Sequence, residues 1–133
     1  MSTIFTQIIA GEIPCFKVYE DEVCIVIMDK YPAVVGQSMV ILKREAPYIF
    51  DLADTEYHHL FTVAQKVAIA SDKVFEVERS CLVVEGFEIP HVHVKIYPMP
   101  ATTTSLGNVM CERAKAHDED LSEYAARLAQ EIN

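Results

Sequence analysis

Two imidazoles and an ammonium fall at every second residue of Pro90-His91-Val92-His93-Val94-Lys95-Ile96-Tyr97-Pro98. Side chains two apart on a strand share a face, so this spacing predicts a strand with Val92, Val94 and Ile96 buried. His91, His93 and Lys95 then stand in a row on the other side. Three chemistries fit that row. His91 and His93 could be metal ligands, but Lys95 repels a cation and the cysteines lack metal-site spacing. His93 could instead be a nucleophile or general base. A free imidazole, with a pKa near ~6.5, is largely unprotonated at neutral pH. It can attack phosphorus and depart again from a covalent intermediate. Its second ring nitrogen must then be held by an acceptor, and Lys95 could neutralise charge on a phosphoryl oxygen. In the third reading the row is a polar sheet face that binds an anion and does no chemistry.

The elements that must position this row are legible as periodicities. Apolar residues at Ile4, Phe5, Ile8 and Ile9 predict a short helix through Ala10, stopped at Gly11 and kept from resuming by Pro14. Phe16–Glu20 alternates as a strand, Glu20-Asp21-Glu22 is a turn, and the apolar run Val23–Met28 predicts a buried strand, completing a hairpin. Gly36 opens a further strand over Gln37–Lys43. Asp54 or Thr55 can cap a long helix whose buried face is Leu60, Ala64, Val67, Ser71 and Val74. Ser80–Val84 is a fifth strand, and a turn at 85–88 leads to His91. From Asp118, Leu121, Tyr124, Ala125, Leu128 and Ile132 share one face of a last helix, able to pack on the domain or on a partner. His58 and His59 are adjacent, point to different faces and read as solvated helix residues. Ser38 could donate to a phosphate or simply point away. The pattern is that of an α+β domain: an antiparallel meander of about five strands with one long inserted helix and short terminal helices.

Composition sets bounds. The chain has 133 residues, 51% of them apolar, enough for one domain with a real core. A formal net charge of −9 argues against coating nucleic acid, whose binding needs dense Lys and Arg. A phosphate pocket remains compatible with it, provided the few basic residues concentrate there. No apolar run reaches membrane-spanning length. The four cysteines (Cys15, Cys24, Cys81 and Cys111) form no C-x-x-C pair. With no signal peptide, this predicts reduced thiols in a cytoplasmic protein.

The segments Ile8-Ile9-Ala10-Gly11-Glu12-Ile13-Pro14 and Lys17-Val18-Tyr19-Glu20-Asp21-Glu22 resemble the N-terminal signature of histidine triad (HIT) nucleotide-binding proteins. So does Asp29-Lys30-Tyr31-Pro32 leading to Gly36 and the strand ending at Lys43. His91-Val92-His93-Val94-Lys95-Ile96-Tyr97 is similar to the family's H-x-H-x-H-x-x motif, and the likeness runs from about Ile4 to Pro98. It implies a single HIT-like domain over residues 1–133, with 108–133 a C-terminal helical extension, and a homodimer whose sheets join. It also implies an AMP-like purine nucleotide ligand. The implied reaction is phosphoramidate or phosphoanhydride hydrolysis, or nucleotidyl transfer, through a nucleotidyl-histidine at His93, without cofactor or metal. In that scheme His91 supports the nucleophile and Lys95 assists as a clamp or leaving-group acid. Asp29 holds the ribose hydroxyls, Ile27, Met28 and Lys30 flank the base, and Gln37 belongs to the nucleotide-binding set.

Departures from the pattern bear on that scheme. Lys95 replaces the third histidine, and Gln37 and Glu45 stand at two frequent histidine positions. Thr3 and Thr6 stand where many members carry a zinc-binding C-x-x-C. The family's zinc site is therefore expected to be absent as a unit. The alternatives are a nucleotide-binding module of the same fold that does not cleave, and an interaction protein with a vestigial pocket.

Overall fold

The computed structural model describes residues 2–101, 103, 105–110 and 114–133; Cys111 lies outside the described residues. Five strands form one antiparallel sheet: β1 (Lys17–Glu20), β2 (Cys24–Met28), β3 (Ser38–Leu42), β4 (Ser80–Val83) and β5 (His93–Pro98). Helices α1 (Ile4–Ile9), α2 (Asp54–Val74) and α3 (Asp118–Ile132) surround it. The strand order is β1-β2-β3-β5-β4. The first three strands follow one another as a meander. The crossover through α2 then delivers β4 to the edge, and β5 returns between β3 and β4. The strand that carries His93 and Lys95 is thus interior, with a ladder of backbone hydrogen bonds on each side. That fixes its side-chain directions more firmly than an edge strand could.

Local chemistry explains the turns and ends. Thr3 caps α1 in a reciprocal capping box with Thr6, and Gly11 follows the helix at a φ of 80°. In the β1–β2 turn, Asp21 Oδ1 accepts from the amides of Val23 (2.8 Å) and Cys24 (2.9 Å). Its Oδ2 accepts from Tyr19 Oη at 2.8 Å and meets His59 Nε2 at 2.7 Å. His59, its side chain 40% exposed, is only partly solvated and ties α2 to the hairpin, while His58 is exposed. Burial opposes ionisation of Asp21, but the hydrogen bonds from Cys24, His59, Val23 and Tyr19 outweigh it and hold the carboxyl well below the usual range.

The N-cap of α2 is Ala53 rather than Asp54 or Thr55, and no side chain caps it; Asp54 and Glu56 lie in the first turn, near the helix's positive end. Leu60, Ala64, Val67, Ser71 and Val74 are buried as the periodicity predicts. At its other end, Arg127 of α3 donates to the Val74 carbonyl at 3.0 Å, satisfying a helix-terminal acceptor. Leu121, Ala125 and Leu128 of α3 join the main core, so this helix packs on its own sheet and on α2. It runs Asp118–Ile132, the span its apolar face predicts.

The sheet has two unlike faces. Val26, Met28, Val40, Leu42, Val94 and Ile96 pack under α2 and α3, with Val92, which precedes β5, in the same core. Ile25, Ile27 and Ile41 face the other way, with Phe5 of α1. Ser38 shares the parity of Val40 and Leu42 and is buried on the helix side, away from the second face. Strand register arranges that second face in rows: Ile25–Ile41–His93 and Ile27–Met39–Lys95.

Candidate active site

The second face opens into a cleft of about 440 Å³, a volume suited to a nucleotide-sized ligand. Its apolar wall comes from α1, the segment before β1, and β2: Phe5, Ile8, Ile13, Phe16 and Ile27. Asp29 and Lys30, just past β2, line it, as do His93 and Lys95 of β5, and Glu85 and Glu88 from the β4–β5 connection. The register rows explain how residues far apart in the chain converge: His93 stands beside Ile41 and Lys95 beside Met39.

His93 is only 5% exposed, yet it borders the cleft. Its Nδ1 lies 2.7 Å from the carbonyl oxygen of His91. A carbonyl can only accept, so Nδ1 carries the proton and Nε2 keeps its lone pair. Phe5 meets the ring edge-to-face, with centroids 4.8 Å apart. Burial pushes the imidazole below its ordinary pKa. The hydrogen bond to His91 opposes that shift and the Lys95 charge adds to it. The neutral, nucleophilic form is therefore the favoured one.

His91 does not extend an open row. The strand begins at His93, and His91 is 1% exposed, does not line the cleft, and sits edge-on to Phe5. Its Nε2 donates to the Leu42 carbonyl at 2.6 Å, so in the neutral ring Nδ1 must accept, and it does so from Thr3 Oγ1 at 3.1 Å. Thr6 Oγ1 in turn donates to Glu45 Oε1 at 2.9 Å, which lowers the Glu45 pKa. Thr3, Thr6, Glu45 and His91 thus form one knot joining the cap of α1 to the backbone that holds His93. The donor set does not fit a structural zinc ion. It offers two neutral hydroxyls and a single carboxylate on exposed Glu45, and the one imidazole has both ring nitrogens engaged. A second gathering of ligand-type atoms, Asp21, Cys24 and His59, fits no better: both carboxylate oxygens are bonded, and burial pushes the Cys24 thiol up to about 12, away from the thiolate.

Asp29 Oδ1 accepts from the Tyr31 amide at 2.8 Å, and Oδ2 from Gln37 Nε2 at 2.8 Å. Gln37 Oε1 accepts from the Ala33 amide at 2.7 Å. Gln37 is 1% exposed and does not line the cleft. Both ends of its amide serve the protein, so it steadies Asp29 rather than reaching a ligand. Met28 packs its side chain in the α2 core and also lines the cleft beside Ile27, which faces it more directly.

Lys95 is not a bare cation. Its Nζ lies 3.1 Å from Glu85 Oε1, with the lysine side chain 15% exposed and the glutamate 38%. Neither this pairing nor the apolar wall of α1 was evident from the sequence. Phe5 and Ile8 read there only as one face of a short helix. The acidic and apolar residues of 85–89 carried no sign that Glu85 meets Lys95.

A family model described as "HIT domain" matches residues 10–101 of the chain. Adenosine 5′-monophosphoramidase hnt1 of Schizosaccharomyces pombe is 29% identical over 130 residues, covering 92% of this chain and 97% of that protein. Adenylylsulfatase HINT3 of Arabidopsis thaliana is 33% identical over 103 residues, covering 71% of this chain and 51% of that protein. Among solved structures, a Hit-like protein of Bartonella henselae superposes with a TM-score of 0.82 at 25% identity, covering 96% of this chain and 94% of the other. With a five-stranded antiparallel sheet of this topology and a domain match over most of its length, the chain belongs to the HIT family, whose relatives here carry the names of nucleotide hydrolases.

Proposed function

We propose that this chain hydrolyses a purine nucleotide at its α-phosphorus, cleaving a phosphoramidate or phosphoanhydride bond through a nucleotidyl-histidine at His93. The observation that carries this reading is the His93 tautomer. Nδ1–H is committed to the His91 carbonyl, which leaves Nε2 as a lone-pair donor at a cleft shared with Asp29. In the first step Nε2 bonds to phosphorus, the bond to the leaving group breaks, and the leaving atom takes the electron pair and a proton. In the second step water attacks phosphorus, the P–N bond to His93 breaks, and the nucleoside monophosphate departs. Asp29, braced by Gln37 and the Tyr31 amide, is placed to accept from vicinal ribose hydroxyls. Ile27, Phe16 and Ile13 offer an apolar surface for a purine, and Lys30 lines the same cleft.

The Lys95–Glu85 pair favours a second reading, a module that binds nucleotide without cleaving it, because the ammonium already has a partner. One experiment separates the two. Wild type and His93→Ala are incubated with an adenosine phosphoramidate and with a dinucleoside polyphosphate. Hydrolysis by wild type and its loss in His93→Ala support the catalytic reading. Equal hydrolysis in both removes His93 as nucleophile. AMP binding without turnover of either substrate establishes the second reading. The homodimer of the same scheme is supported by the position of β4 at the sheet edge and by exposed Leu82 and Ile69. Sedimentation at twice the 15.0 kDa chain mass is the expected result.

A further inference from the structure

We propose that Phe87 is a nucleotide-contacting residue whose ring closes over the ligand bound in the cleft. This rests on the nucleotide cleft proposed above. The Phe87 side chain is 93% exposed, the most exposed of the large hydrophobic residues described, and it nevertheless lines the cleft. Among the described residues, nine large hydrophobics are exposed, and four of them border this one cleft: Ile4, Tyr31, Phe87 and Met110. They come from four separate stretches of chain, so the fold itself gathers them. The floor beneath them, with Ile27, His93 and Tyr97, is buried. An apolar rim around a buried floor marks a surface that a ligand covers.

The chain on either side of Phe87 is fixed, and the chain next to it is free to turn. Before it, Glu85 is held by Lys95 at 3.1 Å. After it, Ile89 packs against the apolar cluster of Phe5, Ile27 and Ile41, and its carbonyl accepts from the His91 amide at 2.8 Å. The β4–β5 connection is thus anchored at Lys95 and at the apolar wall, with Phe87 between the two anchors. Gly86, directly before the ring, has a φ of 128°, a conformation open to glycine and rarely to other residues. A Cβ placed there would meet nothing closer than the Pro47 carbonyl oxygen at 3.5 Å, its chain neighbours aside. Rotation at Gly86 and about the Phe87 side chain therefore moves the ring while both anchors stay in place. Closing it on a bound nucleotide removes apolar surface from water, and a purine adds a flat partner for stacking. Phe50 supplies the contrast: it is 70% exposed, meets Tyr48 edge-to-face at 5.4 Å, and does not line the cleft.

The chain contains no tryptophan, so Phe87→Trp places a single fluorescent reporter at the cleft mouth. AMP is titrated into Phe87→Trp and Phe50→Trp while indole emission is followed, and into wild type, Phe87→Ala, Phe87→Tyr and Phe50→Ala by calorimetry. The indole at 87 is expected to emit as a solvated group in the free protein and to change its emission as AMP saturates the cleft, while the indole at 50 stays constant. Phe87→Ala is expected to weaken AMP binding about tenfold at an unchanged melting temperature, Phe87→Tyr to restore it, and Phe50→Ala to leave it as in wild type. Wild-type AMP affinity in Phe87→Ala overturns the proposal and leaves the nucleotide cleft standing. Emission at 87 that ignores AMP while calorimetry records binding does the same. An indole at 87 already shielded from water before AMP is added also overturns it, because the ring is then covered by the protein or by a second copy. If AMP binds neither wild type nor any variant, the proposal falls together with the function it rests on.

Discussion

Replacing Thr3 with valine tests whether the cap of α1 holds the catalytic backbone. Valine preserves the shape of threonine and removes one hydroxyl. That hydroxyl accepts from the Thr6 amide at 3.3 Å and donates to His91 Nδ1 at 3.1 Å. Losing a side-chain N-cap costs about 1 kcal/mol. Leaving a buried acceptor such as His91 Nδ1 without its donor costs roughly 1–3 kcal/mol. The two losses share one atom and overlap, so a total of about 2–3 kcal/mol is expected. At this chain length each kcal/mol moves the melting temperature by roughly 3–4 °C, giving a fall of about 6–12 °C. A functional effect follows from the same geometry. The His91 carbonyl fixes the His93 tautomer, so loosening His91 should reduce kcat/KM about tenfold, mostly through kcat. Thr3→Ser, which keeps the hydroxyl, should restore most of both. Thermal melting followed by circular dichroism and steady-state kinetics on a phosphoramidate would measure the two effects. A melting temperature within about 2 °C of wild type, with unchanged kcat, would refute the link between the α1 cap and the nucleophile.

Two further outcomes are expected. Because burial and Lys95 depress the His93 pKa, the acid limb of kcat/KM should lie below the ordinary imidazole value near ~6.5, and Lys95→Met should move it upward. The unfolded chain binds that proton more readily. The stability His93 contributes is therefore fully present above the unfolded pKa and is lost as pH falls through the folded one, which denaturant melts across that window would show. Gln37→Ala removes the 2.8 Å brace on Asp29 and leaves the Ala33 amide without its acceptor. It should weaken AMP binding about tenfold by calorimetry while an adenine base alone binds as before.

Much of the fold was legible because its signals are local. The alternation of Val92, Val94 and Ile96, the stop at Gly11 and the stripe of α2 each depend on a few consecutive residues, and each appears where expected. The cap of α2 was less legible, because Asp54 and Thr55 are good capping residues and the backbone nevertheless turns at Ala53. In the site, Ile27, Met28, Asp29, Lys30, His93 and Lys95 meet around one cleft, a consequence of strand order that spacing along the chain only hints at. The roles of Glu85, Gln37 and Thr3 were not within reach. Each depends on a hydrogen bond whose partner is chosen by the folded chain: Lys95 ten residues on, Asp29 across a turn, and His91 from the far end of the sequence.

The two unlike faces of the sheet make it a partition between stability and recognition. Neighbours in sequence such as Ile27 and Val26, or His93 and Val94, serve different ends: one borders the cleft, the other the buried apolar store. Substitutions confined to one side should combine almost independently with those on the other. A library varied only along the Ile27–Met39–Lys95 row could therefore explore new leaving groups while the opposite layer carries the burden of remaining folded.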